Sequence, residues 1–143
     1  MSQFIGTSMA RGFAGEMTRG YFDNTTEVKA NDAVAPVSAF GVAVKLNAKA
    51  DGVTPCTATG DAIYGFAVRD YTQAGEEHAM VTVLKRGYIA VEVKGGTPAL
   101  GGKVYLSATG AITANASSAT VIDKAVFMGA IDANGLAEIA YNI

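Results

Sequence analysis

Short runs of alternating apolar and polar residues dominate the chain from about Tyr21 onward, and Gly, Asp, Asn, Ser and Pro separate these runs. A period of two residues is typical of β-strands that bury one face, and the separating residues favour turns. No stretch shows the 3.6-residue period of a long amphipathic helix. The pattern therefore predicts an all-β protein folded as one compact β-barrel or β-sandwich.

The longest alternating stretch covers residues 80–94 and reads MVTVLKRGYIAVEVK. Val81 and Val83 alternate with their neighbours before KRG, and Ile89, Val91 and Val93 do so after it. A turn at KRG would place two such strands side by side. We therefore predict a hairpin here, with one apolar and one mixed face.

The C-terminal residues predict a second hairpin. The runs AVFMGAI and LAEIAYNI flank the sequence DANG, in which Asn134 and Gly135 suit the positive φ angles of a tight type I′ turn. This is the strongest turn signal in the chain.

Two parts of the chain resemble each other. The stretches at 35–46 and 97–106 both place a proline shortly before glycine and a Val-rich run, and each is followed by an apolar run with a central glycine. Chance similarity between β sequences is one explanation. The other is a duplication with pseudo-repeats at 34–94 and 96–143, whose two units would close into one structure with few free edges.

Composition narrows the class of protein. The chain has 143 residues, 50% apolar and 17% charged, which suits one folded domain. Its net charge is −2 and its 11 basic residues are scattered, so we expect no nucleic-acid partner. The apolar stretch 33–44 is too short to span a membrane, and the first residues lack the layout of a signal peptide. The single cysteine, Cys56, suits a structural thiol in a reducing compartment.

Candidate catalytic residues are few. His78 is the only histidine, and no serine lies in a nucleophile elbow. Asp61, Asp70, Glu76 and Glu77 could supply an acidic pair for glycoside hydrolysis, but carboxylates at strand ends are usually solvated turn residues. One Cys and one His do not make a zinc site, and residues 23–32 lack the spacing of a calcium loop. We expect no enzyme activity, no cofactor and no metal.

The N-terminal residues include MARGFAGEMTRG at 9–20, whose glycines do not fit a phosphate loop because no strand precedes them and no helix start follows. We predict that residues 1–20 form an extended docking arm and that residues 21–143 form the β domain; a frayed terminus is the alternative. The candidate partner-binding residues are the apolar anchors Phe4, Ile5, Met9, Phe13 and Met17, with Arg11, Glu16 and Arg19 as polar contacts at the rim.

Several stretches together resemble a known family. They read FAGEMTRGYFD, FGVAVKL, GDAIYGFAVRD, GGKVYLSATGAITA and VFMGAIDANGLAEIAYNI. This set resembles the small capsid cement, or decoration, proteins of tailed bacteriophages. The similarity covers nearly the whole chain and is strongest where IYGFAVRD is combined with the later VYLSATG hairpin.

The resemblance implies a β-barrel, β-tulip or jelly-roll protein of the virion that has no enzymatic role. Such a protein is made in the host bacterial cytoplasm, binds the outer surface of the expanded head and bridges neighbouring major capsid subunits. It also implies self-association, with a homotrimer preferred and a homodimer as the alternative. A tail- or surface-associated adhesion module that binds carbohydrate is the competing function, although Trp is absent and the six Tyr are dispersed.

Overall fold

The structure is a computed structural model that describes residues 12–69 and 79–143. These ranges contain strands, loops and one turn of 3-10 helix at Tyr21–Asp23, so the all-β prediction is confirmed. None of their helical residues forms a segment long and apolar enough to cross a membrane. The strands are β1 (Thr25–Asn31), β2 (Ala43–Leu46), β3 (Gly52–Pro55), β4 (Gly65–Ala67), β5 (Met80–Glu92), β6 (Lys103–Ser107), β7 (Ile112–Thr113), β8 (Ala119–Phe127) and β9 (Leu136–Tyr141).

The stretch around KRG is one continuous strand, so the hairpin predicted there is wrong. A two-residue hairpin turn of type I′ needs positive φ at two successive residues, and here only Gly87 has it, with φ 138°. Gly87 bends β5 without reversing it, and the next backbone N–H, that of Tyr88, donates to Asn24 Oδ1 at 2.7 Å. The first half of β5 pairs with β1 and β4, and its second half pairs with β9.

The strand pairings form two rings that share β5. In the first ring the order is β1-β3-β2-β4-β5, and β5 pairs again with β1. The second ring has the order β5-β9-β8-β6-β7, and a parallel bridge between Val93 and Ile112 joins β7 back to the end of β5. Ring closure leaves few strand edges without a partner. The two pseudo-repeats inferred from the sequence remain a prediction.

The larger hydrophobic core joins the two rings. Ala43, Phe66 and Leu84 are cross-strand neighbours on β2, β4 and β5, and they turn one face of the first ring toward side chains of the second. The Phe66 and Tyr141 rings meet edge to face, with centroids 5.1 Å apart. A smaller core lies within the first ring and contains Val37, Val44, Val53, Ala67, Val81 and Val83.

The C-terminal hairpin is confirmed, but its turn differs from the predicted type I′. Only Gly135 has a positive φ, 77°, and its N–H donates to the Asp132 carbonyl at 3.1 Å. The Asp132 carboxylate accepts hydrogen bonds from the N–H groups of Asn134 and Leu136, at 2.8 and 3.0 Å. These side-chain bonds favour an ordinary turn followed by a glycine bulge, so Asn134 does not need a positive φ.

Cys56 is buried in the larger core, and burial raises the pKa of its thiol to about 12. A thiol protonated at neutral pH is a poor nucleophile. Its surroundings are therefore those of a structural side chain.

Candidate partner-binding surface

Residues 12–20, called here the edge segment, lie along the second half of β5. The N–H of Gly15 donates to the Ala90 carbonyl at 2.8 Å, and the Ala90 N–H donates to the Glu16 carbonyl at 2.9 Å. Thr18 N–H donates to the Tyr88 carbonyl at 3.2 Å. Because β9 occupies the other side of β5, these bonds pair the edge that would otherwise be open.

Gly15 lies where the edge segment crosses the loop before β2. It has φ 87°, and an added Cβ would lie 2.8 Å from the backbone nitrogen of Gly41 and 2.9 Å from that of Arg69. The Arg69 N–H donates to the Gly15 carbonyl at 2.8 Å, which holds the crossing together. Only glycine fits this close approach of two backbones.

Arg19 and Glu138 connect the edge segment to the opposite end of the chain. Arg19 donates to both carboxylate oxygens of Glu138, from Nε at 3.1 Å and from Nη2 at 2.9 Å, and the Thr18 hydroxyl donates to the same carboxylate. Glu138 is only 6% exposed, and Arg19 also stacks on the Tyr88 ring at 4.3 Å. The hydrogen bond to Glu138 is the main cause that raises the pKa of Arg19 above its ordinary value.

Replacing Arg19 with Ala should lower the free energy of unfolding. A hydrogen-bonded charged group contributes about 1.5–3 kcal/mol, and since the Arg19 side chain is 42% exposed we expect a loss near the lower end, about 1.5 kcal/mol. Arg19→Lys should lose less, because an ammonium keeps the charge but not the planar fork. Urea unfolding at pH 7 measures both changes.

The matched control for Arg19 is Lys94→Ala. Lys94 pairs with Glu92 at 2.6 Å, but both side chains are more than half exposed. Such a surface pair contributes about 0.5 kcal/mol or less. Equal stabilities for Arg19→Ala and Lys94→Ala would show that the Arg19 contact does not hold the edge segment.

A second arginine, Arg69, contacts two aromatic rings at the other end of the edge segment. Its guanidinium carbon is 5.1 Å from the centre of the Phe13 ring and 4.9 Å from that of the Phe40 ring. Arg69 Nε donates to the Ala14 carbonyl at 3.0 Å. The stack of Phe13, Arg69 and Phe40 thus fixes the start of the described chain against the loop before β2.

The predicted partner-binding residues divide into two groups. Phe13 and Met17 are 63% and 41% exposed, Glu16 is half-buried, and Arg19 is engaged with Glu138. Their role in binding a partner stays a prediction, as does the boundary at residue 20. The others lie outside the described residues: Phe4, Ile5, Met9 and Arg11.

Sequence reasoning missed the residues that hold the edge segment: Phe40, Arg69, Tyr88 and Glu138. Glu138 lies 119 positions from Arg19, and Arg69 lies 55 positions from Ala14, so no local pattern links them. A weak signal was available, because Glu138 is the only charged residue of β9. A charged side chain in an otherwise apolar strand points to a buried ion pair.

Of the candidate acidic residues, only Asp61 lies in the described part of the chain. Asp61 accepts hydrogen bonds from Lys45 Nζ at 2.7 Å and from the N–H groups of Thr57 and Ala58, and the Lys45 contact is the main cause that lowers its pKa. It is a turn carboxylate. In residues 12–69 and 79–143 no group of His, Cys, Asp or Glu side chains could hold a metal ion. The remaining candidates lie outside these ranges: Asp70, Glu76, Glu77 and His78.

Comparison with known proteins identifies the family. The family model described as XM1 gp53 minor capsid protein matches residues 1–141. The chain belongs to this family. It is also similar in fold to a chain in the solved capsid of Myoviridae phage XM1, with a TM-score of 0.72 and 18% identity, over 96% of this chain and 94% of that chain. A search of curated proteins found no significant match.

Membership in the XM1 gp53 minor capsid family assigns the chain a capsid-associated structural role and a location in the virion. The resemblance to phage capsid-associated proteins is therefore confirmed.

Proposed function

We propose that the protein is a capsid decoration, or cement, protein. It binds the outer surface of the expanded phage head and stabilises the head by bridging neighbouring major capsid subunits. The observation that supports this function best is a firmly held surface segment with exposed apolar side chains, in a chain that belongs to a minor capsid family.

The edge segment has the composition of a binding surface. Phe13 and Met17 are exposed, while the backbone beneath them is hydrogen-bonded to β5. Aromatic residues, Met and Arg are enriched at protein interfaces, and a rigid backbone reduces the entropy lost on binding. The residues just before the segment add further apolar anchors and one cation: Phe4, Ile5, Met9 and Arg11.

Mass action explains how such a protein would stabilise a head. A ligand that binds the assembled shell and not its free subunits shifts the equilibrium toward the shell. Modest contacts are sufficient because they repeat around the shell and each copy touches more than one subunit. We propose self-association as a homotrimer, with a homodimer as the alternative, and sedimentation equilibrium distinguishes the two.

The protein should bind expanded heads that lack it and raise the temperature at which they come apart. Co-sedimentation measures binding, light scattering on heating measures head stability, and cryo-electron microscopy locates the added density. Unexpanded heads should bind less well, because their subunits are arranged differently.

Two variants show whether the edge segment itself binds the head or whether the protein adheres to the head nonspecifically. Phe13→Asp combined with Met17→Asp places charges on the edge segment and should weaken binding at least about tenfold. Val34→Asp changes a side chain that is 93% exposed on a different loop and should have little effect. Absence of binding by the unaltered protein, or density on the inner surface of the head, would refute the proposed function.

A further inference from the structure

Arg69 carries hydrogen-bonding capacity that the described chain does not use. The rings of Phe13 and Phe40 both contact its guanidinium, and Nε is bonded to the Ala14 carbonyl. Within residues 12–69 and 79–143, neither terminal nitrogen of Arg69 has a hydrogen-bond partner, and no carboxylate is paired with it. Its side chain is half-buried, and Phe13 above it is 63% exposed.

Elsewhere in the molecule, a second arginine contacts an aromatic ring and also binds a carboxylate. Arg19 stacks on the Tyr88 ring, as Arg69 stacks on Phe13 and Phe40, and its fork is filled by the Glu138 carboxylate. The two arginines differ most in what their terminal nitrogens bind. Arg19 has an aromatic ring and a carboxylate, whereas Arg69 has two aromatic rings and no carboxylate among the described residues.

We propose that Arg69 receives a carboxylate side chain, Asp or Glu, of the major capsid subunit. This inference rests on the proposed function and names the chemistry of the contact. The guanidinium presents donors in a planar fork that matches a carboxylate, and charge-assisted pairs of this kind are strong. Arginine is among the residues enriched at the positions that dominate the binding energy of interfaces.

The stack also prepares Arg69 for binding. A free arginine side chain loses rotamer freedom when a partner immobilises it, and this loss weakens binding. In this chain the two rings and the Ala14 carbonyl hold the guanidinium before any partner arrives. The contact should therefore affect affinity more than an ordinary surface arginine does.

Substitution of Arg69 tests the contact. We expect Arg69→Gln to weaken binding to expanded heads about tenfold or more, and Arg69→Lys to weaken it by a smaller factor, because lysine keeps the charge but loses the fork and the stack. Arg86→Gln is the matched control, since Arg86 is exposed on β5 and should bind as the unaltered protein does. Circular dichroism and thermal unfolding of each free variant show whether it is folded. If Arg69→Gln does not fold, the binding of Arg69→Lys is compared with that of Arg86→Gln instead.

Chemical modification of the heads tests whether the partner is a carboxylate. Expanded heads whose surface carboxylates have been converted to amides with carbodiimide and glycinamide should bind the unaltered protein less tightly. Arg69→Gln should show little further loss on these heads, because the group that Arg69 needs is already absent. This non-additivity is the signature of a direct pair.

Two results would overturn the inference and leave the proposed function intact. In one, Arg69→Gln binds native heads as tightly as the unaltered protein. If that variant also unfolds at a lower temperature, Arg69 serves only a contact within the chain. In the other, Arg69→Gln loses the same factor on native and amidated heads, which would show that its partner is not a carboxylate. Failure of the unaltered protein to bind native heads would instead refute the proposed function.

Discussion

A chain that begins at Tyr21 should be much less stable than the full chain. It lacks four backbone hydrogen bonds made by Gly15, Glu16 and Thr18, each contributing about 1 kcal/mol, and it leaves Glu138 buried without Arg19. The expected loss is on the order of 5 kcal/mol, or roughly 15–20 °C in unfolding temperature. The open edge of β5 should also promote aggregation. Differential scanning calorimetry and light scattering measure the two effects.

A chain that begins at Gly12 is the matched control for this truncation. It keeps every contact of the edge segment that the structure describes, so it should unfold at a clearly higher temperature than the chain that begins at Tyr21. Equal unfolding temperatures for the two shortened chains would mean that the edge segment does not stabilise the fold.

The same control also tests the predicted partner residues that lie outside the described ranges. The chain that begins at Gly12 lacks Phe4, Ile5, Met9 and Arg11 but retains Phe13 and Arg69. If the lacking residues bind the capsid, its affinity for expanded heads should fall. Unchanged affinity would confine the contact to the edge segment and its surroundings.

Gly15→Ala should disrupt the crossing of the edge segment with the loop before β2. The new Cβ would meet Phe40 Cβ at 2.5 Å and the Gly41 nitrogen at 2.8 Å, and backbone atoms cannot move aside as a flexible side chain can. Strained φ and overpacking each contribute about 1–3 kcal/mol, so we expect a loss of roughly 3 kcal/mol or more. Urea unfolding measures the loss, and head binding should fall with it because Phe13 is displaced.

Gly60→Ala is the control for this substitution. A Cβ at Gly60 would have open space around it, with no atom within 4 Å, and the residue does not have a left-handed φ. Its stability should lie within about 0.5 kcal/mol of the unaltered protein. If Gly15→Ala behaves in the same way, the close approach at residue 15 is not a structural requirement.

The hairpins show where pattern reasoning succeeds and where it stops. The alternation around DANG predicted the pairing of β8 with β9, because Gly135 is required by the local turn itself. The alternation around KRG is equally regular, yet Gly87 bends one strand there. Alternation shows which residues share a face of a strand, but it is the same whether the chain reverses or continues at the glycine.

The edge segment is a second case in which a local sequence pattern does not determine the structure. The sequence predicted an extended docking arm here, and glycine favours conformational freedom when nothing packs against it. In the fold, Gly15 is buried against Gly41 and the backbone of Arg69, and the same absence of a side chain permits close packing. A glycine can serve either purpose, and its surroundings determine which.

The sequence by itself determined the all-β class, the strands that alternate and the C-terminal hairpin, because each of these depends on residues close together in the chain. Only the tertiary structure decided that β5 is shared by two rings, that Arg19 reaches Glu138 and that Phe13 and Phe40 contact Arg69. Side chains so far apart in sequence meet only after the strands have paired. Their contacts therefore depend on the path of the whole chain, which no local pattern records.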